Sequence, residues 1–330
     1  MNIIEYAKFK KMFGGKGGTS GFVVSTSTTA NRDTKIHLIE GLKISYPNAK
    51  SIGDSAFDGC NLTSIDLPSV TSVGNYAFTN CSLLTSVYLP NATSIGNGAF
   101  YRCASLTSVQ VRFIETIKDN TFNGCTALTS IDLPSVTSVN DGAFNGCTSL
   151  TSVYLPYVMS CGAGVFNDCR SLKSIDLPYM AIVSDNLFSG CTSLTSVYLP
   201  KVGFVGCNAF YNCSSLKSID LHDAYAINND AFYGCTNLDT IILRKDNDVC
   251  NMLLTSIINT KIADENGTPT GEGFIYVPSV VYEQYVANFT EQVTYLLMEM
   301  GLPQEEAVVM AEQMSRAILR TIEDYPEICG

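Results

Sequence analysis

Thirteen cysteines are the residues with the most evident chemical potential in this chain of 330 amino acids. Stacked repeats would bring such thiols to about 5 Å from one another, close to disulfide reach. Nine of the cysteines recur at a nearly constant spacing and are called the column here. Each of these nine follows a phenylalanine by three residues, an apolar setting in which a thiol acts as a small hydrophobic group. We therefore expect buried, reduced thiols, with some disulfides or a metal site as alternatives. The column recurs once after 21 and then every 22 residues, at Cys60, Cys81, Cys103, Cys125, Cys147, Cys169, Cys191, Cys213 and Cys235.

Other groups that could do chemistry are few. Only two histidines occur, His37 and His222, and there is no Cys-x-x-Cys pair or His/Cys cluster with zinc-ligand spacing. No carboxylate pair stands beside a histidine or a nucleophile, and Gly-x-Ser-x-Gly, His-Glu-x-x-His and phosphate-loop motifs do not occur. The sequence thus predicts no catalytic residue, no metal site, no cofactor and no enzyme activity.

The charge and the hydropathy pattern limit the classes of partner. Twenty basic against 31 acidic residues give a formal charge of −11 and a pI near 4.6, which disfavours nucleic acid and anionic membrane surfaces. No apolar run is long enough to predict membrane insertion. Charges at Glu5, Lys8, Lys10 and Lys11 interrupt the apolar core that a secretory signal peptide needs. We expect a virion or cell-surface location if the protein leaves a phage-infected cell by lysis, and a cytoplasmic location otherwise.

The 22-residue period also governs the residues between the cysteines. In Ser64-Ile65-Asp66-Leu67, apolar and polar residues alternate as in a half-buried strand, with Ile65 and Leu67 inward, and Pro68 follows where its missing N–H costs least. A polar or glycine cluster then precedes a single helical turn that turns Phe and Cys inward. One such unit cannot bury its apolar face alone, whereas stacked units can.

We therefore predict an α/β repeat solenoid with a single core and about ten short parallel strands. The strands are centred near 44, 65, 87, 109, 131, 153, 175, 197, 219 and 241. The predicted organisation is an N-terminal peptide with a Gly/Ser/Thr-rich linker at 1–35, the solenoid at 36–245 and a C-terminal cap at 246–330.

Both ends of the chain carry segments outside the repeat. A short helix at about 2–13 would be either a frayed terminus or a peptide that docks on another protein. At the other end we predict a strand at 274–278 and two helices. The first, at about 279–300, is indicated by apolar residues at helical spacing. The second, from Pro303 to near Arg320, is indicated by acidic residues at its start and basic residues near its end. These helices either cover the end of the stack or form an oligomerisation hairpin. A homo-oligomer through either terminal segment is therefore left open.

One residue per repeat points outward between the two buried strand positions. In this row Asp and Tyr nearly alternate: Asp66, Tyr88, Gln110, Asp132, Tyr154, Asp176, Tyr198, Asp220 and Ile242. Alternation keeps acidic residues from lying side by side, which is one sufficient explanation. The other is a recognition surface on a concave sheet face, richest in the C-terminal half. The predicted binding residues are Tyr88, Asp132, Tyr154, Tyr157, Asp176, Tyr179, Tyr198 and Asp220.

The pattern Leu-x-x-Val-x-Leu-Pro with Ala-Phe-x-x-Cys, over about 36–245, resembles the BspA-like leucine-rich-repeat family. The resemblance implies a leucine-rich-repeat stack that binds or adheres without catalysis and recognises a cell-surface protein or glycan. A looser likeness to repeat proteins of gut bacteria and their phages rests on the N-terminal phrase and on the ending at 322–328. The rival hypothesis is an assembly protein that oligomerises through its terminal segments and uses the solenoid as a spacer.

Overall fold

The computed structural model describes residues 22–24, 29–30, 42–45 and 49–329 apart from 248. These residues belong to two compact units, 1–157 and 158–330, called unit 1 and unit 2 below. The predicted helix at about 2–13 and His37 lie outside the described residues. The predicted boundaries at 35/36 and 245/246 stay predictions.

Unit 1 consists of short parallel strands in two rows, with one strand of each row in every repeat. Residues of the same type face one another across the ladder, as in Ser64, Ser86 and Ser108. The first row, called sheet A, contains Phe22–Val24, Leu42–Ser45, Leu62–Asp66, Ser86–Tyr88 and Ser108–Gln110, then Ser130–Asp132 and Ser152–Tyr154. The second row, called sheet B, contains Thr29–Ala30, Ser51–Ile52, Ser72–Val73 and Ser94–Ile95, then Thr116–Ile117 and Ser138–Val139.

Unit 2 also consists of two rows of short parallel strands. Its sheet A strands are Ser174–Asp176 and Ser196–Tyr198, followed by Ser218–Asp220, Thr240–Ile242, Phe274–Val277 and Leu319–Thr321. Its sheet B strands are Ser160–Cys161, Ile182–Val183, Phe204–Val205, Ala226–Ile227 and Asn251–Met252. The fold class is confirmed: the chain is a parallel-strand solenoid of about nine turns with a 22-residue period and C-terminal helices.

The C-terminal region departs from the prediction in how it rejoins the sheet. The predicted strand is present at Phe274–Val277, and the helices are α1 (Tyr282–Glu299) and α2 (Gln304–Ile318), with a short α3 at Pro326–Cys329. Two 3₁₀ turns, Leu254–Ile257 and Ser279–Val281, complete the region. The prediction that Arg316 and Arg320 lie near the end of the second helix is confirmed, since α2 ends at Ile318 and Arg320 donates to Arg316 O and Ala317 O. The strand Leu319–Thr321, which pairs in parallel with Phe274–Val277, was not predicted. Sheet B is a second row of strands that the sequence analysis did not predict, and its last strand, Asn251–Met252, pairs in parallel with Ala226–Ile227.

A column of stacked phenylalanine rings fills the interior of each unit. In unit 1 the rings of Phe57, Phe78, Phe100, Phe122 and Phe144 lie 5.2–5.5 Å apart and within 10° of parallel. In unit 2 the rings of Phe166, Phe188, Phe210 and Phe232 lie 5.3–5.7 Å apart. All nine are fully buried, so the predicted inward orientation of the phenylalanines is confirmed.

The residue before each column cysteine adopts a left-handed backbone, which explains the Gly, Asn and Asp found there. In unit 1, Gly146 has a φ of 70° and Arg102, at the same position two repeats earlier, has 56°. A Cβ at Gly146 would meet nothing closer than the Gly124 Cα at 3.8 Å, so space is not the constraint. The constraint is the strain of an L-residue in this region, roughly 1–2 kcal/mol.

Gly146→Ala is therefore expected to lower the free energy of unfolding by roughly 1–2 kcal/mol. The measurement is urea unfolding followed by circular dichroism. The converse change, Arg102→Gly, relieves the same strain and should leave stability unchanged or slightly raised. Equal losses from both variants would show that this position does not require the left-handed conformation.

Candidate functional site on the outer face of sheet A

In unit 1 the outward row of sheet A is an exposed line of carboxylates and phenols. Parallel pairing places Asp66 beside Tyr88, and Asp132 beside Tyr154. Tyr88 is 39% exposed and Tyr154 58% exposed, and Tyr157, just past the strand, is 57% exposed. The buried neighbours of this row, such as Ile131 and Leu133, fix the strand and leave its polar side free.

In unit 2 the same row pairs Asp176 with Tyr198, both exposed. Asp220 Oδ2 accepts a hydrogen bond at 2.8 Å from Arg244 Nε, and Arg244 Nη2 lies 2.8 Å from the same oxygen, so this acid is neutralised by a cation from the next repeat. At the edge of the face, the Lys201 ammonium lies 5.0 Å from the centre of the Tyr179 ring. A shallow depression of about 290 Å³ is lined by Val197, Tyr198, Leu199, Pro200, Asp220 and His222.

The C-terminal tail closes the row beyond Asp220. Ile242 and Tyr276 follow Asp220 in register, but both are buried, because Phe274, Ile322 and Tyr325 pack against them. The Tyr325 ring meets the Tyr276 ring edge to face at 5.5 Å. The expectation that Ile242 belongs to an open outward row was therefore wrong. In unit 2 the open part of the face contains Asp176, Tyr198 and Asp220.

A second exposed row adds hydroxyl groups to the same face. Ser174, Ser196 and Ser218 each precede a residue of the acid and tyrosine row by two positions, so they lie on the same face, and they are exposed. The face of unit 2 therefore offers serine hydroxyls, a free carboxylate at Asp176, a phenol at Tyr198 and the Asp220–Arg244 ion pair. This set donates and accepts hydrogen bonds, and it includes no group placed as a nucleophile beside a base.

The column cysteines are buried, as predicted, and their thiols act as hydrogen-bond donors. In unit 1, Cys103 Sγ donates to Phe78 O at 3.1 Å and Cys125 Sγ to Phe100 O at 3.2 Å. In unit 2, Cys213 Sγ donates to Phe188 O at 3.1 Å. Each thiol thereby satisfies a main-chain carbonyl of the preceding repeat. Outside the column, Cys161 and Cys250 are buried and Cys207 is half-buried.

Burial raises the pKa of these thiols and suppresses their reactivity as thiolates. Desolvation raises the pKa of Cys103, Cys147 and Cys161 to about 12, and those of Cys81, Cys125, Cys191 and Cys213 also lie above the usual range. Among the described residues, no three of His, Cys, Asp and Glu come together as a metal-binding group. The column is therefore a structural feature.

The BspA-type leucine-rich repeat model matches six copies in this chain, over residues 50–172, 115–239 and 159–262. The chain belongs to this family. The repeats of this family typically form non-catalytic protein-interaction or surface modules. The comparison with curated proteins found no match.

Solved structures similar to this BspA-type chain include three bacterial proteins. A leucine-rich repeat protein from Bacteroides ovatus is 25% identical, over 75% of this chain and 80% of its own, with a TM-score of 0.38. A leucine rich cell surface protein from Faecalibacterium prausnitzii is 23% identical, over 69% and 87%, with a TM-score of 0.36. The pneumococcal vaccine antigen PcpA is 17% identical, over 81% of each chain, with a TM-score of 0.46.

The outer side of sheet B in unit 2 is an apolar surface that the sequence analysis missed. In unit 1 of this BspA-type chain the outward positions of sheet B are Ser72, Ser94, Thr116 and Ser138. In unit 2 the outward positions of the first and last strands are the polar Ser160 and Asn251. The three between them are the apolar Ile182, Phe204 and Ala226, aligned in register, and Tyr225 packs beside Phe204 with ring centres 6.3 Å apart. Ile182 and Tyr225 are each about half exposed. The sequence signal that could have revealed this surface is the change from serine and threonine to apolar residues at one position of the repeat.

Among the described residues, no helix has the length and apolarity to cross a bilayer.

Proposed function

We propose that this BspA-type repeat protein is a non-catalytic binding module that recognises a cell-surface protein or glycan through the outer face of sheet A. The observation that carries the proposal is the row of exposed tyrosines and aspartates, held in register by parallel strands. In unit 2 the proposed centre is Tyr198, with Asp176 and Asp220 on either side and Tyr179 at the edge. In unit 1 it is Tyr154, with Asp132 beside it, Tyr157 at the edge and Tyr88 further along the row. The looser likeness of the N-terminal phrase and of the ending at 322–328 to repeat proteins of gut bacteria and their phages favours recognition at a bacterial surface or on a phage particle.

The physical support is preorganisation. Strand pairing fixes the backbone of every residue in the row before a partner arrives, so little ordering entropy is lost on binding. Tyrosine combines a large contact area with a hydroxyl, and it is enriched at the energetic centres of interfaces. The carboxylate of Asp176 can accept hydrogen bonds from sugar hydroxyls or pair with lysine and arginine of a protein. The same charges disfavour a polyanion.

The ligand is first identified by screening a panel of glycans and surface proteins. Tyr198→Ala is then expected to weaken its binding by about 30-fold or more, because truncating a residue at the energetic centre of an interface typically removes about 2 kcal/mol of binding free energy. Tyr154→Ala tests the face of unit 1 in the same way. Binding is measured by calorimetry, together with the thermal midpoint of each variant. Since both side chains are more than half exposed, neither change should alter folding.

The matched control is Tyr295→Ala, which removes a tyrosine that is 65% exposed on α1, outside sheet A. It should bind the ligand as the wild type does. If the ligand is bound unchanged by the Tyr154→Ala/Tyr198→Ala double variant, the face is scaffold only and the proposal fails.

The alternative function is assembly through the terminal segments, with the solenoid as spacer. The observation that favours it is the apolar surface of the α1–α2 hairpin, where Tyr295, Met300 and Val309 are each more than half exposed. Under this alternative, size measured by light scattering would fall when that surface is made polar.

A further inference from the structure

A groove runs along one side of the α1–α2 hairpin in unit 2. It encloses about 520 Å³, and its lining residues recur every three or four positions, so they form one face of each helix. From Glu283 to Thr294 the groove follows α1 for about 16 Å at 1.5 Å per residue. The lining residues are Glu283, Val286, Ala287, Thr290, Glu291 and Thr294 of α1 with Val308, Glu312 and Arg316 of α2.

The groove has an apolar floor, a polar atom without a partner and an acidic rim. Val286 is buried and Val308 is 40% exposed, and Thr294 Oγ1 is buried with no hydrogen-bond partner among the described residues. Arg316 is held at 2.8 and 3.0 Å by both carboxylate oxygens of Glu283 and at 3.1 Å by Glu312. The rim as a whole therefore carries three glutamates, Glu283, Glu291 and Glu312, and one arginine. Across residues 282–318 the count is six glutamates against one arginine.

We propose that this groove binds residues 2–13 of a second copy of the chain. That segment has the opposite charge, with Lys8, Lys10 and Lys11 against Glu5. Its Tyr6, Phe9 and Phe13 recur at helical spacing, as in peptides that lay the apolar face of a helix into a groove. As a helix of 12 residues it would measure about 18 Å, which matches the length of the groove.

The consequence is a head-to-tail assembly in which each copy offers a segment at one end and a groove at the other. Such a contact either closes, as a ring or as two copies that exchange segments, or propagates from copy to copy, and it does not use the sheet A face. The solenoid stays available for recognition while the terminal segments join the copies. Because the rim carries carboxylates and the segment carries lysines, raising the salt concentration should weaken the contact.

The test places a photo-reactive residue, p-benzoylphenylalanine, at Phe9 of the full chain. Equal amounts of unlabelled and ¹⁵N-labelled protein are mixed and irradiated, and the linked peptides are identified by mass spectrometry. We expect links from position 9 to residues 283–316, about half of them joining a light to a heavy chain. Links only within one copy, or links that miss the hairpin, would overturn the proposal.

Neighbouring valines give a matched pair of variants. Val308→Arg puts a charged side chain in the groove and should reduce the links at least tenfold, whereas Val309 is 59% exposed outside it, so Val309→Arg should leave them unchanged. Lys8→Glu/Lys11→Glu should also reduce the links, and adding Glu291→Lys/Glu312→Lys should restore them. Equal losses from both valine variants, or no rescue by the charge exchange, would contradict docking in this groove.

Discussion

Raising the pH from 8 to about 10.5 is expected to unfold this protein, because its interior holds thiols that cannot ionise in place. An unfolded cysteine has a pKa near 8.5, whereas burial raises the pKa of Cys103, Cys147 and Cys161 to about 12. The folded state therefore keeps protons that the unfolded state releases. The stabilisation is complete below about pH 8 and is lost as the pH rises from about 8.5 toward 12.

The effect is large because many thiols share it. Each thiol contributes about 1.4 kcal/mol of lost stability per pH unit in this interval, and seven thiols have a raised pKa. Together they lower the free energy of unfolding by roughly 10 kcal/mol per pH unit, comparable with the whole stability of a typical domain. Urea unfolding at half-unit steps from pH 7 to 10.5, under argon with a reductant, measures the decline.

The variant Cys103→Ala distinguishes the destabilisation caused by thiol ionisation from other destabilising effects of alkaline pH. It removes one of two hydrogen bonds to Phe78 O, which also accepts from Cys81 N, and should cost about 1 kcal/mol at pH 7, where wild-type Cys103 is a neutral thiol. Above pH 9, however, its stability should fall less steeply than that of the wild type, by about 1.4 kcal/mol per pH unit. Parallel curves for the two proteins would mean that the thiols do not set the alkaline limit.

Phe100→Ala should remove about 3–5 kcal/mol from the free energy of unfolding. The Phe100 ring is fully buried and lies 5.5 Å from Phe78 on one side and 5.5 Å from Phe122 on the other. Alanine leaves a cavity in the middle of the stack and breaks two ring–ring contacts. Urea denaturation at pH 7 gives the size of the loss.

The exposed phenylalanine of the next repeat supplies the comparison. Phe113 is 56% exposed, so Phe113→Ala should change stability by no more than about 0.5 kcal/mol. Phe100→Leu should recover part of the loss, since it refills most of the cavity. A loss below about 1 kcal/mol from Phe100→Ala would show that the interior collapses around the missing ring and that the stack is not a rigid core.

The repeat was readable from the sequence because its causes are local. Alternation within Ile65-Asp66-Leu67 is enough to place the two aliphatic residues inside and the acid outside, and the structure has them so. A constant 22-residue period then forces the same residue types into register. For this reason the inward phenylalanines, the buried cysteines and the exposed tyrosines at positions 88, 154 and 198 followed from spacing alone. Whether those tyrosines bind a partner stays a prediction.

Contacts between residues far apart in the chain were not readable in this way. The strand Leu319–Thr321 follows a helical pattern without a break, and it forms because the edge of Phe274–Val277 offers unpaired backbone groups at that point. Ile242 has the position of an outward residue, yet it is buried because Ile322 and Tyr325 return from the chain's end to cover it. Periodicity encodes which way a side chain points, whereas what packs against it from another part of the chain depends on the folded backbone.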